Sequence, residues 1–460
     1  MLRPPRNSLF LKAIVVGVLA VLMLIPLGMV EGLIAERASR RAEAIASVQA
    51  SFAGPQTLAL PFFVWPYVEH WTEQTVDASN RMVVRPMTEA KQLIWFAEQS
   101  QADAEVVVKN DRYRGIHRVR TYESSIAISG ATTWPDRTQV KPLVDGRRIV
   151  WGEPRLVLAI ADVRGLRGSP ALTVEGKPVR FRESTQLPTL PAGLHAPLAE
   201  SPAGSNVRFS IAVELAGTER LAFAPTATSS SVTVKSTWPD PHFGGSYLPR
   251  DRSVGAGGFS ATWSISALAS DVQQQLRQLA SQTRSEQRPQ HASPLRVDTF
   301  EIDFIEAVNT YLLAERSAKH GALIIVLVFG AMFLFDALRS LNAHPLQYGF
   351  VGLALVIFFL LLLSLSEHIA FGLAYSIAAS ACTLLITYYL SYVLANRSRA
   401  IGFGVALAAM YATIYSILIA EGTALLLGSA LLFVVLAAAM IMTRNIDWRR
   451  LSLDTKPDPT

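Results

Sequence analysis

HPLQYGFVGLALVIFFLLLLSLSEHIAFGLAYSIAASACTLLITYYLSYVL, residues His344–Leu394, decides how this chain is read. Two long apolar runs, Tyr348–Ser366 and Ala370–Leu394, flank a short break that carries Glu367 and His368. A helix of about 20 apolar residues crosses the hydrocarbon core of a bilayer. So short a break makes the two runs an antiparallel helical hairpin. Working outward, Gly321–Leu338 precedes this pair, and Ala400–Ala420 and Thr423–Thr443 follow it. That is a bundle of five spans. At the other end of the chain Ala13–Val30 is an uncharged run of 18 residues, preceded by Arg3, Arg6 and Lys12. It is longer than the usual signal-peptide core of roughly 7–15 residues, and no small-x-small cleavage site follows closely. The reading is an uncleaved anchor, for six transmembrane helices in total.

Six spans place both termini on one side, and Lys and Arg decide which, because cytoplasmic segments carry the excess. With the N-terminus inside, the short cytoplasmic segments hold Arg3, Arg6, Lys12, Arg339, Arg397, Arg399, Arg444, Arg449, Arg450 and Lys456. The two short outside turns hold no Lys or Arg, only Glu367 and Glu421 among charged residues. The expected layout follows: 1–30 as cytoplasmic N-terminus and first span, 31–320 as a periplasmic domain, 321–443 as the remaining five spans, and 444–460 as a cytoplasmic tail.

The bulk numbers agree with that layout. Half of the 460 residues are hydrophobic and 17% are charged, which is poor in charge for a soluble protein. The net charge of +6 sits mostly beside the apolar runs: residues 31–320 hold 32 basic and 30 acidic side chains, the rest 10 and 6. No basic stripe or base-stacking motif accompanies it, so nucleic acid is not an expected partner. The one cysteine, Cys382, lies inside an apolar run, which excludes an intramolecular disulfide and a cysteine-built zinc site.

Residues 31–50 are helical in pattern and read as a stalk. Beyond Gly54, Pro55 and Pro61 the pattern changes to period two. Predicted strands are Gln92–Glu98, Glu105–Lys109, Arg118–Ser129, Leu156–Ile160, Asn206–Leu215 and Ser230–Ser236. In Asn206–Leu215 the side chains of Phe209, Ile211, Val213 and Leu215 fall on one face. Frequent Gly and Pro between runs predict antiparallel sheets in a sandwich-like, mainly β domain of one or two lobes. Ser266–Gln287 reads as a helix or a connector.

Candidate sites are few. Arg112, Arg114, Arg118 and Arg120 in RYRGIHRVR would share a face on one strand, a candidate periplasmic binding face for lipid headgroups or an acidic glycan. A solvated face with acidic neighbours is the simpler reading. Asp162 and Arg164 in ADVRG read as a turn cap or structural ion pair. WPDPHFGGSYLP, Trp238–Pro249, reads as a rigid loop, since Pro239 and Pro241 cannot join a central sheet. In the bundle, Glu367, His368 and Glu421 should lie at one depth with Arg316 and Lys319. Ionisable groups near hydrocarbon pair or line a cavity, so this cluster either locks the domain on the bundle or forms the mouth of a pathway. Asp336, near the end of its span, reads as structural. No GxSxG, HExxH or Walker loop occurs, and neither a catalytic set nor a cofactor is expected.

The segment His344–Leu394 closely resembles the hallmark region of the CreD family of bacterial inner-membrane, or cell envelope integrity, proteins. GPQTL (Gly54–Leu58), RYRGI (Arg112–Ile116), DVRG (Asp162–Gly165), GGSYLP (Gly244–Pro249), GFSATW (Gly258–Trp263) and ALLLGS (Ala424–Ser429) follow in family order, so the resemblance spans nearly the whole chain. Two motifs depart from it. Glu421-Gly422-Thr423 stands where the family tends to read Glu-Asp-Tyr, and Trp238-Pro239-Asp240-Pro241 where it tends to read Trp-Pro-His-Pro. The resemblance implies a role in envelope integrity and in the response to envelope stress and β-lactams. The expectation is a non-enzymatic protein whose periplasmic domain binds an envelope protein, lipid or cell-wall component. The alternative is a transporter acting through the bundle.

Overall fold

A computed structural model describes residues 8–76, 80, 82–115, 117–142, 147–281, 297–304, 310–339, 343–394, 396–420 and 424–444. The chain divides into two compact units, Arg41–Ala307 and the pair of segments Met1–Arg40 and Val308–Thr460.

The first of these is the β-rich unit. Its largest sheet has eight strands, in the order Asp251–Gly255, Gly258–Ser266, Ser229–Ser236, Gln99–Arg114, His117–Thr133, Asn206–Thr218, Leu166–Val174 and Lys177–Val179. All neighbours are antiparallel except Ser229–Ser236 beside Gln99–Arg114. Period-two patterning makes one face apolar: Val207, Phe209, Ile211, Val213 and Leu215 are buried, while Arg208, Ser210 and Glu214 between them are exposed. A second sheet orders Arg182–Glu183, Gly193–Pro197, Arg155–Ala159, Phe62–Val76 and Met82–Phe96, with Arg148–Trp151 also paired to Phe62–Val76. Its Phe63, Trp65, Trp95, Leu156 and Leu158 join the apolar face of the large sheet in one core. The alternate residues Phe62, Val64, Ile94 and Phe96 pack with Val272 and Leu276 of a short helix, Val272–Ser281. A four-stranded sheet adds Phe223, Phe300 and Ile302 to the common core.

Each predicted strand is present, mostly longer than its pattern indicated. One reading needs correction. The stretch Trp238–Pro249 is not all loop: directly after Pro241, His242–Gly245 pairs with Phe300–Asp303.

The helices, in chain order, are α1 (Ser8–Ser51), α2 (Val272–Ser281), α3 (Thr310–Lys319), α4 (Gly321–Arg339), α5 (Pro345–Ser366), α6 (Phe371–Val393), α7 (Arg397–Ile419) and α8 (Ala424–Thr443). Among the described residues five helical stretches are long and apolar enough to cross a membrane: Leu11–Ser51, Thr310–Asp336, α5, α6 and α7. The 20-residue α8 is a further apolar helix. Anchor and stalk are thus one helix. In α1, Val16, Met23, Leu27, Val30 and Ile34 form a buried seam at heptad-like spacing, as expected when one helix lies along a bundle. Its Leu11, Val18, Val21, Ile25 and Met29 stay exposed, apolar surface that suits lipid. At Gly352 of α5 an added Cβ would lie 2.7 Å from Met23 and 2.8 Å from Phe329. Only a residue without a side chain lets α1, α4 and α5 approach so closely. In α6 the small residues Ala374 and Ala378 are fully buried.

Candidate functional site

Among the described residues, Glu367 and Lys319 take different partners. Glu367 is the C-cap of α5, where the helix macrodipole disfavours an anion. Its carboxylate, 10% exposed, accepts a hydrogen bond from the Tyr311 hydroxyl at 3.2 Å and lies 3.9 Å from Nε of Arg37 on α1. Lys319 instead pairs with Glu315 one turn back, 2.8 Å away and largely in solvent, worth a few tenths of a kcal/mol. Arg316 and His368 are exposed. Glu421 lies outside the described residues. Glu367 thus takes its cation from α1, far away in sequence, and not from Arg316 or Lys319.

At the opposite end of α4, Asp336 is 5% exposed and forms an ion pair with Lys12 of α1. It also accepts from the Ala343 N–H at 3.3 Å and the Tyr348 hydroxyl at 3.4 Å. A void of about 10 Å³ lies between Asp336, Met332, Tyr348, Leu390 and Phe403, room for roughly one water. Lys12 and Arg37 stand about 37 Å apart along α1 at 1.5 Å per residue, more than the roughly 30 Å of a hydrocarbon core. One helix thus carries the cations that pair with Asp336 and with Glu367, two little-exposed carboxylates among the described residues of the bundle. Apolar patterning marks such a helix as an anchor, and nothing in the pattern reveals its ionic partners.

The four arginines also divide. The chain turns at Gly115, so Arg112 and Arg114 end one strand while Arg118 and Arg120 begin the next. Arg112 faces Val119, and Tyr113 faces Arg118. Directly opposed residues share a face, so Arg112 and Arg114 lie on one side and Arg118 and Arg120 on the other. This corrects the single arginine face. Arg112 stacks on Phe52 at 4.9 Å, Arg118 on Tyr113 at 5.4 Å and Arg120 on Trp238 at 4.8 Å. Arg167 lies 4.7 Å from the same Phe52 ring.

Asp162 and Arg164 hold the last turn of α1. The guanidinium donates to the carbonyls of Ala50 at 2.6 Å and Gln49 at 3.3 Å, acceptors that a helix C-terminus leaves open. Asp162 accepts from Arg164 at 2.6 Å and 2.9 Å and from the Gly54 N–H at 3.0 Å. Burial alone would raise its pKa, but these donors hold the carboxyl below the usual range. Beneath it, the fully buried Gln56 donates to the carbonyls of Asp162 and Ala216 at 3.0 Å and 3.2 Å.

A further network escapes the sequence. Glu69, 2% exposed, takes Arg147 at 2.9 Å and Lys91 at 3.1 Å, and both cations also reach Glu89. Arg147 stacks on Trp71 at 4.0 Å. Burial opposes the Glu69 charge, yet the hydrogen bonds from Arg147 and Lys91 hold its pKa below the ordinary value. A depressed folded-state pKa contributes stability above the unfolded value of about 4.3, lost as pH falls through the folded one. The cover over Glu69 is little more than the two cationic side chains, so Glu69→Ala should cost only about 2 kcal/mol. The melting temperature of the β-rich unit should fall on acidification below about pH 4, and Glu69→Gln should flatten that slope. A slope identical in wild type and variant would show that Glu69 is not its source.

Among the described residues no three His, Cys, Asp or Glu side chains converge as metal ligands would. Apolar helices, a β-rich unit between the first and the rest, and charges paired at both ends of a bundle define a polytopic membrane protein with a large extramembrane domain. The chain belongs to the CreD family, whose sequence model, described as inner membrane protein CreD, matches residues 8–449. The inner membrane protein CreD of Escherichia coli K12 is 31% identical over 97% of this chain and 95% of its own length. This is therefore an inner-membrane protein in contact with lipid. Among solved structures, an M1 zinc metallopeptidase from Deinococcus radiodurans aligns at 12% identity over 37% of this chain and 38% of its own, with a TM-score of 0.20. A proposed nutrient binding protein from Legionella pneumophila aligns at 8% identity over 60% and 79%, with a TM-score of 0.26. Likeness at that level carries neither fold nor activity over to this chain.

Proposed function

We propose that this protein supports envelope integrity and the response to envelope stress and β-lactams as a non-enzymatic binding protein. Its bundle is the anchor, its termini are cytoplasmic, and its β-rich unit works in the periplasm on an envelope protein, lipid or cell-wall component. The observation that carries this reading is how the bundle uses its interior. Phe329, Tyr348, Phe358 and Tyr411 fill it and are each at most 1% exposed. Among the described residues Asp336 and Glu367 are both engaged by α1, so the described helices favour an anchor over a conduit. Lys and Arg restricted to one set of short segments support the orientation.

The test is complementation of a deletion strain by Glu367→Gln, scoring β-lactam and detergent sensitivity while quantifying membrane-inserted protein. Rescue in proportion to the amount inserted is expected. A variant that accumulates normally and fails to rescue would overturn the anchor reading in favour of a pathway through the bundle. In a Cys382→Ala background, Ala199→Cys should react with an impermeant maleimide added from the periplasmic side. Labelling only after the inner membrane is opened would reverse the orientation.

A further inference from the structure

The β-rich unit has a surface concavity of about 520 Å³, lined by Trp151, Glu153, Arg182, Leu198 and Glu200 among others. That volume falls within the roughly 300–1,000 Å³ of small-ligand sites. Trp151 supplies its aromatic wall and is partly exposed. Behind it the indole packs at a tilt against Trp65 and Tyr67, with ring centroids 5.0 Å away in each case. Trp65 in turn meets Trp134 at 5.5 Å and Trp95 at 6.1 Å. Trp151 is thus the outer end of an aromatic column rooted in the core.

The loop beside it is held by backbone contacts. Trp65 Nε1 donates to the Gly152 carbonyl at 2.9 Å, the Gly152 N–H to Pro66 at 2.9 Å, and the Leu198 N–H to Pro154 at 2.8 Å. A site held this way loses little entropy when a ligand arrives. On the rim, Glu200 is neutralised by Arg137 at 3.1 Å. Glu153 and Arg182 are exposed and have no ion pair or side-chain hydrogen bond among the described residues.

An aromatic face, one free carboxylate and one free guanidinium together restrict the ligand. The free carboxylate disfavours a simple anion, and the free guanidinium disfavours a simple cation. A pyranose ring fits: its C–H face lies on an indole, its hydroxyls donate to a carboxylate, and a carboxylate substituent takes a guanidinium in the bidentate geometry special to arginine. We propose that this concavity is a saccharide site, selective for a pyranose that carries a carboxylate. The proposal deepens the reading of the β-rich unit as a binding domain and rests on it for the biological setting.

The test uses the full chain, purified in a detergent without a sugar headgroup, and saturation-transfer NMR. The probes are methyl β-D-glucuronide and methyl β-D-glucoside, which share a ring and differ in the carboxylate. Transfer to the ring C–H protons is expected for both, with the glucuronide bound more tightly. Trp151→Ala should abolish it, while Trp151→Phe, which keeps an aromatic wall, should retain it and so report a folded site. Arg182→Ala should weaken the glucuronide about tenfold, the loss of a charge-assisted pair at an exposed site, and leave the glucoside unchanged. No transfer to either sugar, or equal transfer in Trp151→Ala, would overturn the saccharide site. Equal affinities that Arg182→Ala does not alter would overturn its selectivity for acidic sugars. None of these failures touches complementation or labelling, so the broader reading stands or falls separately.

Discussion

Lys12→Met is expected to destabilise the helix bundle by about 3–5 kcal/mol, the cost of leaving a buried charge without its partner. The asymmetry of the pair makes the choice of variant decisive. A lysine side chain is long and can snorkel towards the interface when its partner is removed. The side chain of Lys12 is already 22% exposed. Aspartate has no such reach: Asp336 is 5% exposed and is held by the Ala343 N–H and the Tyr348 hydroxyl. Without Lys12 its carboxylate is left without a cationic partner in a poor solvent. The double variant Lys12→Met with Asp336→Asn should recover most of the loss. Asparagine keeps an acceptor for the Ala343 N–H, turns its amide N–H towards the Tyr348 hydroxyl oxygen, and carries no charge. Membrane-inserted yield and thermal unfolding in detergent report both effects. A single variant as stable as wild type would show that the pair contributes nothing. A double variant no better than the single would assign the loss to the packing of the lysine stem.

The second large effect is expected at Gly165, where alanine should cost about 3 kcal/mol from overpacking and broken buried hydrogen bonds. A Cβ there would lie 2.3 Å from the Ala216 carbonyl oxygen and 2.4 Å from Nε2 of Gln56. Gln56 is fully buried and bridges the carbonyls of Asp162 and Ala216. Moving its amide therefore leaves buried acceptors unmet under the residues that hold the end of α1. Adding Gln56→Ala to Gly165→Ala removes the side-chain clash and leaves the one with the backbone of Ala216. The double variant should therefore stay destabilised. Recovery in the double variant would locate the whole effect in the glutamine. An unchanged melting temperature in Gly165→Ala would mean that the two segments separate easily, and the node would then not stabilise the unit.

These two sites mark how far the sequence carries. Long apolar runs, the placement of Lys and Arg, and alternation such as that in Asn206–Leu215 report local requirements. A backbone must satisfy its hydrogen bonds in lipid, and a strand must bury one face, so the pattern betrays the element. Helix spans and strand positions were legible for that reason, and the CreD family through the motifs that resemble it. The arginines were misread because alternation says nothing about where a chain reverses: the turn at Gly115 put Arg112 and Arg118 on opposite faces. Pairing across the chain was invisible for a related reason. Lys12 with Asp336, Arg37 with Glu367 and Glu69 with Arg147 join residues that are remote in sequence and have no periodic relation to one another. By itself the sequence determined the elements, their apolar faces and the family. Only the tertiary structure decided which charges meet and which aromatic ring reaches the surface, because those depend on packing between elements and not on the pattern within one.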